Sequence, residues 1–137
     1  MALLKQLLIW GIVLTFAYAE TPEQELIVKV LKLISIKNIP IIVYEHQPSI
    51  SLQGSTFTNL TEQCAHADMV YGSNFETLPQ ACKGLPRFST EYELFQKDGH
   101  VIGAYYWRKG RPQLRFDKER CDHFEIFLPE ELVRYVQ

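Results

Sequence analysis

Beyond residue 19 the chain has no uninterrupted apolar run long enough to cross a bilayer, which takes about 20 residues. It has no surplus of charge either. A formal net charge of -2 gives no electrostatic reason for general binding to nucleic acid or to a membrane surface. Cysteine is scarce, at three residues, and no Cys-x2-Cys pair of the zinc-binding kind occurs. No cysteine follows Ala19 directly, so a bacterial lipoprotein anchor is not indicated. Internal repeats and linker-like stretches are absent as well.

The strongest signal present is at the start. Lys5 supplies a positive charge, residues 7–16 are apolar, and Ala17-Tyr18-Ala19 is a small-residue cleavage signature. That apolar stretch is too short to span a membrane and fits a secretory signal peptide, so residues 1–19 are expected to be removed. The mature chain, residues 20–137, is then expected to be secreted or periplasmic, with no stable membrane anchor. About 118 residues remain, enough for one domain with one core. Losing Lys5 moves the net charge from -2 to about -3. The composition, 47% hydrophobic and 22% charged, argues against disorder, and 12% aromatics favours strands.

In an oxidising compartment Cys64, Cys82 and Cys121 imply at least one disulfide and one odd thiol. The spacing does not choose among the three pairings. The unpaired cysteine is expected to be buried, behaving as a small hydrophobe.

Thr21-Pro22-Glu23-Gln24 reads as a helix start: an N-cap, a proline at the first helical position and a capping-box glutamine. Residues 25–37 carry eight aliphatic side chains, with Glu25, Lys29 and Lys32 on one narrow stripe. Such a helix is expected to be covered over most of its surface. Residues 41–44 read as a buried strand and 55–59 as a short one. Residues 63–88 are the least periodic, with a turn or two of helix around 62–68 and otherwise loop. From Ser89 the pattern predicts a meander: strands near 91–96, 101–107, 113–117 and 124–128. Its turns fall at Lys97-Asp98-Gly99-His100 and Lys109-Gly110-Arg111-Pro112. Pro129-Glu130-Glu131 opens a terminal helix. The expected fold is α+β: a buried N-terminal helix packed on an antiparallel meander of about four strands, followed by a short C-terminal helix.

Two constellations carry chemistry. Cys64-Ala65-His66 and Cys121-Asp122-His123 together would form a Cys2His2 set. Their spacing matches no standard zinc finger, and export favours thiol oxidation, so no metal and no cofactor is expected. The second constellation is a carboxylate, Glu91 or Glu93, with Arg108, Arg111, Arg115 and His123. On adjacent strands these groups would suit metal-independent RNA cleavage. The carboxylate would take the 2′-OH proton, the guanidinium groups would hold the phosphate, and the imidazole would protonate the leaving oxygen.

The order of these residues is similar to that in the small secreted microbial guanyl-specific ribonucleases, the barnase-like group. Residues 122–127 fit that group's Asp-His-Tyr-x-x-Phe motif with Phe124 in place of Tyr, and Arg111 and Arg115 show its Arg-x3-Arg spacing. The resemblance covers about residues 85–127. The segment from Arg115 to His123 is too short for that group's intervening hairpin, and the N-terminal half shows no likeness.

Tyr106, Trp107 and Arg108 are residue types enriched at protein-interface hot spots. Strand alternation puts Tyr106 and Arg108 on one face and Tyr105 and Trp107 on the other. His46, at a strand end, and His100, in a turn, carry no site alone. Asn59-Leu60-Thr61 is a glycosylation sequon. The leading expectation is an exported, non-catalytic protein that binds another protein, as an inhibitor or accessory factor. The second is the ribonuclease, for which RNA would be the partner.

Overall fold

Thr21 starts the first helix, α1 (Pro22–Leu33), its hydroxyl accepting the Gln24 N–H at 3.1 Å. This computed structural model describes residues 20–137, and the expected leader at 1–19 lies outside them. Gln24 does not close the capping box. Its side-chain amide donates to the Ser51 carbonyl at 2.7 Å and ties α1 to a distant loop. The expectation of a helix covered on most sides is corrected. One face, with Ile27, Val28, Val30 and Leu31, is buried, while Leu26 is 37% exposed.

After α1, β1 (Ser35–Ile36) and β2 (Ile39–Pro40) form a tight hairpin. Lys37 and Asn38 both take positive φ, the requirement of a type I′ turn. The chain then lays down β3 (Val43–His46), β4 (Leu60–Thr61), β5 (Met69–Gly72) and β6 (Arg87–Ser89). Helix α2 (Tyr92–Lys97) leads into β7 (Val101–Arg108), which turns back as β8 (Arg111–Phe116). Helix α3 (Lys118–His123), β9 (Ile126–Phe127) and α4 (Glu130–Val133) complete the chain. Strand β9 pairs with β1 in a small three-stranded sheet.

The main sheet has six strands in the order β4-β3-β5-β6-β7-β8. Its pairings are parallel up to β7, and only β7–β8 is antiparallel. Helices and strands are both present as expected, but the four-stranded antiparallel meander is overturned. Residues 91–96, expected as its first strand, form α2. The physical reason is that β6 and β7 run parallel, and parallel strands need a crossover rather than a hairpin. Tyr92 and Phe95, three residues apart, turn to the same side of that helix. Residues 63–88, expected mostly as loop, supply two central strands. All four residues of β5 are buried, so no alternation marks them.

Both faces of the sheet are covered. On one, α1 packs with Leu52, Tyr71, Phe88, Ile102, Tyr105 and Phe116. On the other, α2 and the 75–82 loop bring Phe95, Phe75, Leu78 and Cys82 against Val70, Val101, Ala104 and Tyr106. Alternation along β7 breaks once. Arg87 pairs with Val101 but its neighbour Phe88 pairs with Gly103, so Ile102 is an extra residue. This bulge lets Ile102 and Tyr105, three apart, serve one core. Gly103 is required there, because a side chain would run into the Phe116 ring.

A Cys64–Cys82 disulfide staples the loops around β5, and Cys121 is free and buried. Burial first, then the nearby Asp117 and Asp122 carboxylates, push the Cys121 thiol up to about 12. Among the described residues no helix is long and apolar enough to cross a membrane.

Candidate functional site

Strand β3 has β4 on one side and β5 on the other, so the chain reverses its winding there. In open parallel sheets the crevice outside the carboxyl ends, at such a switch point, is where ligands bind. Here β3 ends at His46, β5 at Gly72 and β6 at Ser89. Gly72 permits the closest approach, because a side chain on it would meet the His46 carbonyl. That approach lets the Ser73 N–H donate to the Gln47 carbonyl at 3.2 Å.

The loops leaving these strands bring three hydroxyls together. Ser73 donates to Ser49 at 2.9 Å, Ser49 and Thr90 lie 2.9 Å apart, and Thr90 and Ser73 lie 2.6 Å apart. Ser49 also donates its backbone N–H to the Ser73 oxygen at 2.9 Å. Three hydroxyls have three protons, which a closed ring consumes, so what faces outward is acceptor capacity. Beside the ring, Thr77 meets His46 at 3.1 Å and Gln47 at 2.9 Å. Desolvation holds the His46 imidazole below its ordinary range.

The carboxyl end opens into a crevice of about 590 Å³, lined by Ser49, Thr90, Glu23 and Glu91 together with the aromatic run 105–107. A neighbouring cleft of about 470 Å³ lies on the other side of Glu91 and Glu93, which line both. Tyr105 packs in the α1-side core, and Trp107 is 54% exposed. Burial first, and the Glu23 carboxylate second, push the Tyr105 phenol up, with Trp107 opposing. Tyr106 is only 4% exposed, its ring tilted against Tyr92 with centroids 4.6 Å apart, and its hydroxyl has no hydrogen-bond partner among the described residues.

The structure separates the residues expected to form a ribonuclease site. Glu91 occupies the N-cap position of α2 without a side-chain capping bond and Glu93 lies exposed in its first turn, so neither is on a strand. Arg108, Arg111 and Arg115 do share one face, since Arg108 pairs with Arg111 and Ala104 with Arg115. Arg108 lies over the Tyr92 ring at 5.7 Å, closing the rim of the same crevice. His123 is exposed at the end of α3, edge-on to Phe124. That helix is anchored at the opposite end of β7, where Arg120 donates to the Val101 carbonyl at 2.9 Å. Seven strand steps, about 23 Å, separate Val101 from Arg108, whereas Arg115, opposite Ala104, is three steps away. Arg108 and Arg111 therefore do not converge with the imidazole on a common phosphate.

Cys64 is bonded to Cys82, which removes it from the Cys2His2 set. Among the described residues no group of three or more His, Cys, Asp or Glu side chains is placed to hold a metal ion. Of the expected binding residues, Trp107 and Arg108 are exposed and Tyr106 is buried beneath Tyr92. Ser49, Ser73, Thr90 and Glu23 were not singled out by sequence. Their signal is a small hydroxyl residue just after an apolar stretch, in Tyr71-Gly72-Ser73 and Phe88-Ser89-Thr90. No protein-family model matches the chain, and neither does any curated protein or any solved structure compared with it.

Proposed function

We propose that this is an exported binding protein whose recognition site is the crevice at the carboxyl ends of β3, β5 and β6. One observation carries this reading: three separate strand ends converge their hydroxyls beside a wall formed by residues 105–107, with Trp107 exposed. An exposed tryptophan beside a polar, acceptor-rich floor suits recognition of a partner. The disulfide and the N-terminal leader pattern support export. The partner is another protein, acted on without a cofactor.

Photo-crosslinking from the crevice tests the proposal. A benzoylphenylalanine replaces Trp107 in one variant and the exposed Lys83, near the amino end of β6, in another. The expected result is a discrete adduct from position 107 in producing cells and none from position 83. Equal adducts from both positions, or none from 107, would overturn it.

A further inference from the structure

Strand β6 stops at Ser89, opposite Ala104, whereas β7 continues to Arg108. From Tyr105 onward, the edge of β7 that faces β6 has no strand beside it among the described residues. The chain that would fill the gap turns away at Thr90 into α2. The 590 Å³ crevice occupies this notch, between residues 105–107 on one side and Ser49 and Ile50 on the other. The outer edge of β8 is different. Pro112 removes a donor there, Arg111 adds charge, and the C-terminal residues 135–137 bond to Phe116. The notch has no such guard.

Resting on the reading of this crevice as the recognition site, we infer that it takes an extended peptide segment bearing Lys or Arg, which adds as a strand to the free edge of β7. Three observations support the occupant. The overhang of β7 matches three or four residues of extended chain, about 13 Å. The walls alternate as a strand requires, with Tyr105 and Trp107 toward the α1 side and Tyr106 toward the α2 side. Carboxylates line the crevice from both directions, Glu23 from α1 and Glu91 and Glu93 from α2, and outnumber Arg108, the cation at its rim over Tyr92. Among the described residues Glu23 and Glu91 have no ion-pair partner, and Glu93 has only Lys97 at 4.0 Å, both exposed. The hydroxyl ring adds outward acceptors for peptide N–H or ammonium donors.

The test is an NMR titration of isotope-labelled, disulfide-bonded protein with the blocked peptide acetyl-Thr-Lys-Val-Lys-Thr-amide. Expected are shifts confined to the crevice lining, at residues 23, 49–50, 90–93 and 105–107, and slowed hydrogen exchange at 105–107. Methylating alternate peptide nitrogens removes the donors a strand needs, in the register that faces β7, and is expected to weaken binding about tenfold or more. Replacing both peptide lysines by glutamate, or pairing Glu23→Gln with Glu91→Gln in the protein, is expected to weaken it about as much. Equal affinity of the peptide methylated in either register, tighter binding of the glutamate peptide, shifts elsewhere, or no shifts at millimolar peptide would each overturn the inference. If Nα-acetyl-lysine amide alone shifts the crevice as fully as the peptide does, strand addition fails while the recognition site stands. If no probe shifts it and position 107 gives no crosslink, both fail.

Discussion

The rings of Tyr92 and Tyr106 meet at a tilt with centroids 4.6 Å apart, and under them the Tyr106 hydroxyl is sealed from solvent without a partner among the described residues. A buried, unpaired hydroxyl costs stability. Tyr106→Phe is expected to raise unfolding stability by about 1 kcal/mol. Because the hydroxyl is sealed beneath Tyr92, the same variant is expected to leave capture of the crevice ligand unchanged. A urea midpoint that falls, or weakened ligand capture, would contradict this.

Arg87 and Asp98 form the tightest ion pair described, at 2.6 Å, with side chains only 12% and 20% exposed. Arg87 also donates to the Lys83 carbonyl and lies over the Phe75 ring. Removing the carboxylate strands a largely buried guanidinium. Asp98→Ala is expected to cost about 3 kcal/mol. Chemical denaturation measures it, and a loss below half of that would show that solvent rescues Arg87.

Two glycines hold strands at close range. At Gly103 a methyl group would press on the Phe116 ring, so Gly103→Ala is expected to cost about 2 kcal/mol. At Gly72 the obstacle is the β3 backbone, which cannot rotate aside. Gly72→Ala is expected to cost more than Gly103→Ala and to disturb the Ser49–Ser73 contact. Thermal melts order the two variants, and the Ser73 amide shift reports the contact.

The three cysteines are expected to divide in an alkylation experiment. At pH 8 a thiol pushed up to about 12 is thiolate only about once in ten thousand molecules. Iodoacetamide is therefore expected to label nothing in the native protein and one cysteine in urea. All three are labelled after reduction and unfolding, and intact mass counts the adducts. Native labelling of Cys121 would contradict its burial.

Alkali is expected to destabilise the fold. Burial raises the Cys121 thiol and the Tyr71, Tyr105 and Tyr106 phenols above their ordinary values of 9.0 and 10.0. The folded state thus keeps protons that the unfolded chain releases. Their contribution is whole below about pH 9 and is lost as pH rises toward the folded values. Urea midpoints are expected to fall above pH 9, less steeply in Tyr71→Phe.

Local chemistry made part of this fold readable. Thr21 and Pro22 announce α1, and the Lys109-Gly110 turn announces the β7–β8 hairpin, with φ positive at both residues. Glu130 begins α4 after Pro129, as that dipeptide implies. The parallel strands left no such mark, because Met69, Val70 and Tyr71 are buried on both faces and follow no period. The residues 91–96 carry an alternating pattern that the crossover to β7 overrides. The arginines of β8 fell on one face as spacing required, yet His123 went to the other end of β7, because α3 docks there through Arg120.

By itself the sequence determined the helix start and the hairpin with its turn. Each depends on residues close together in the chain. Tertiary structure decided the pairing of Cys64 with Cys82, the parallel order of the strands and the meeting of Ser49, Ser73 and Thr90. Those depend on contacts between segments tens of residues apart, whose free energy comes from shared burial and is not written in any one of them.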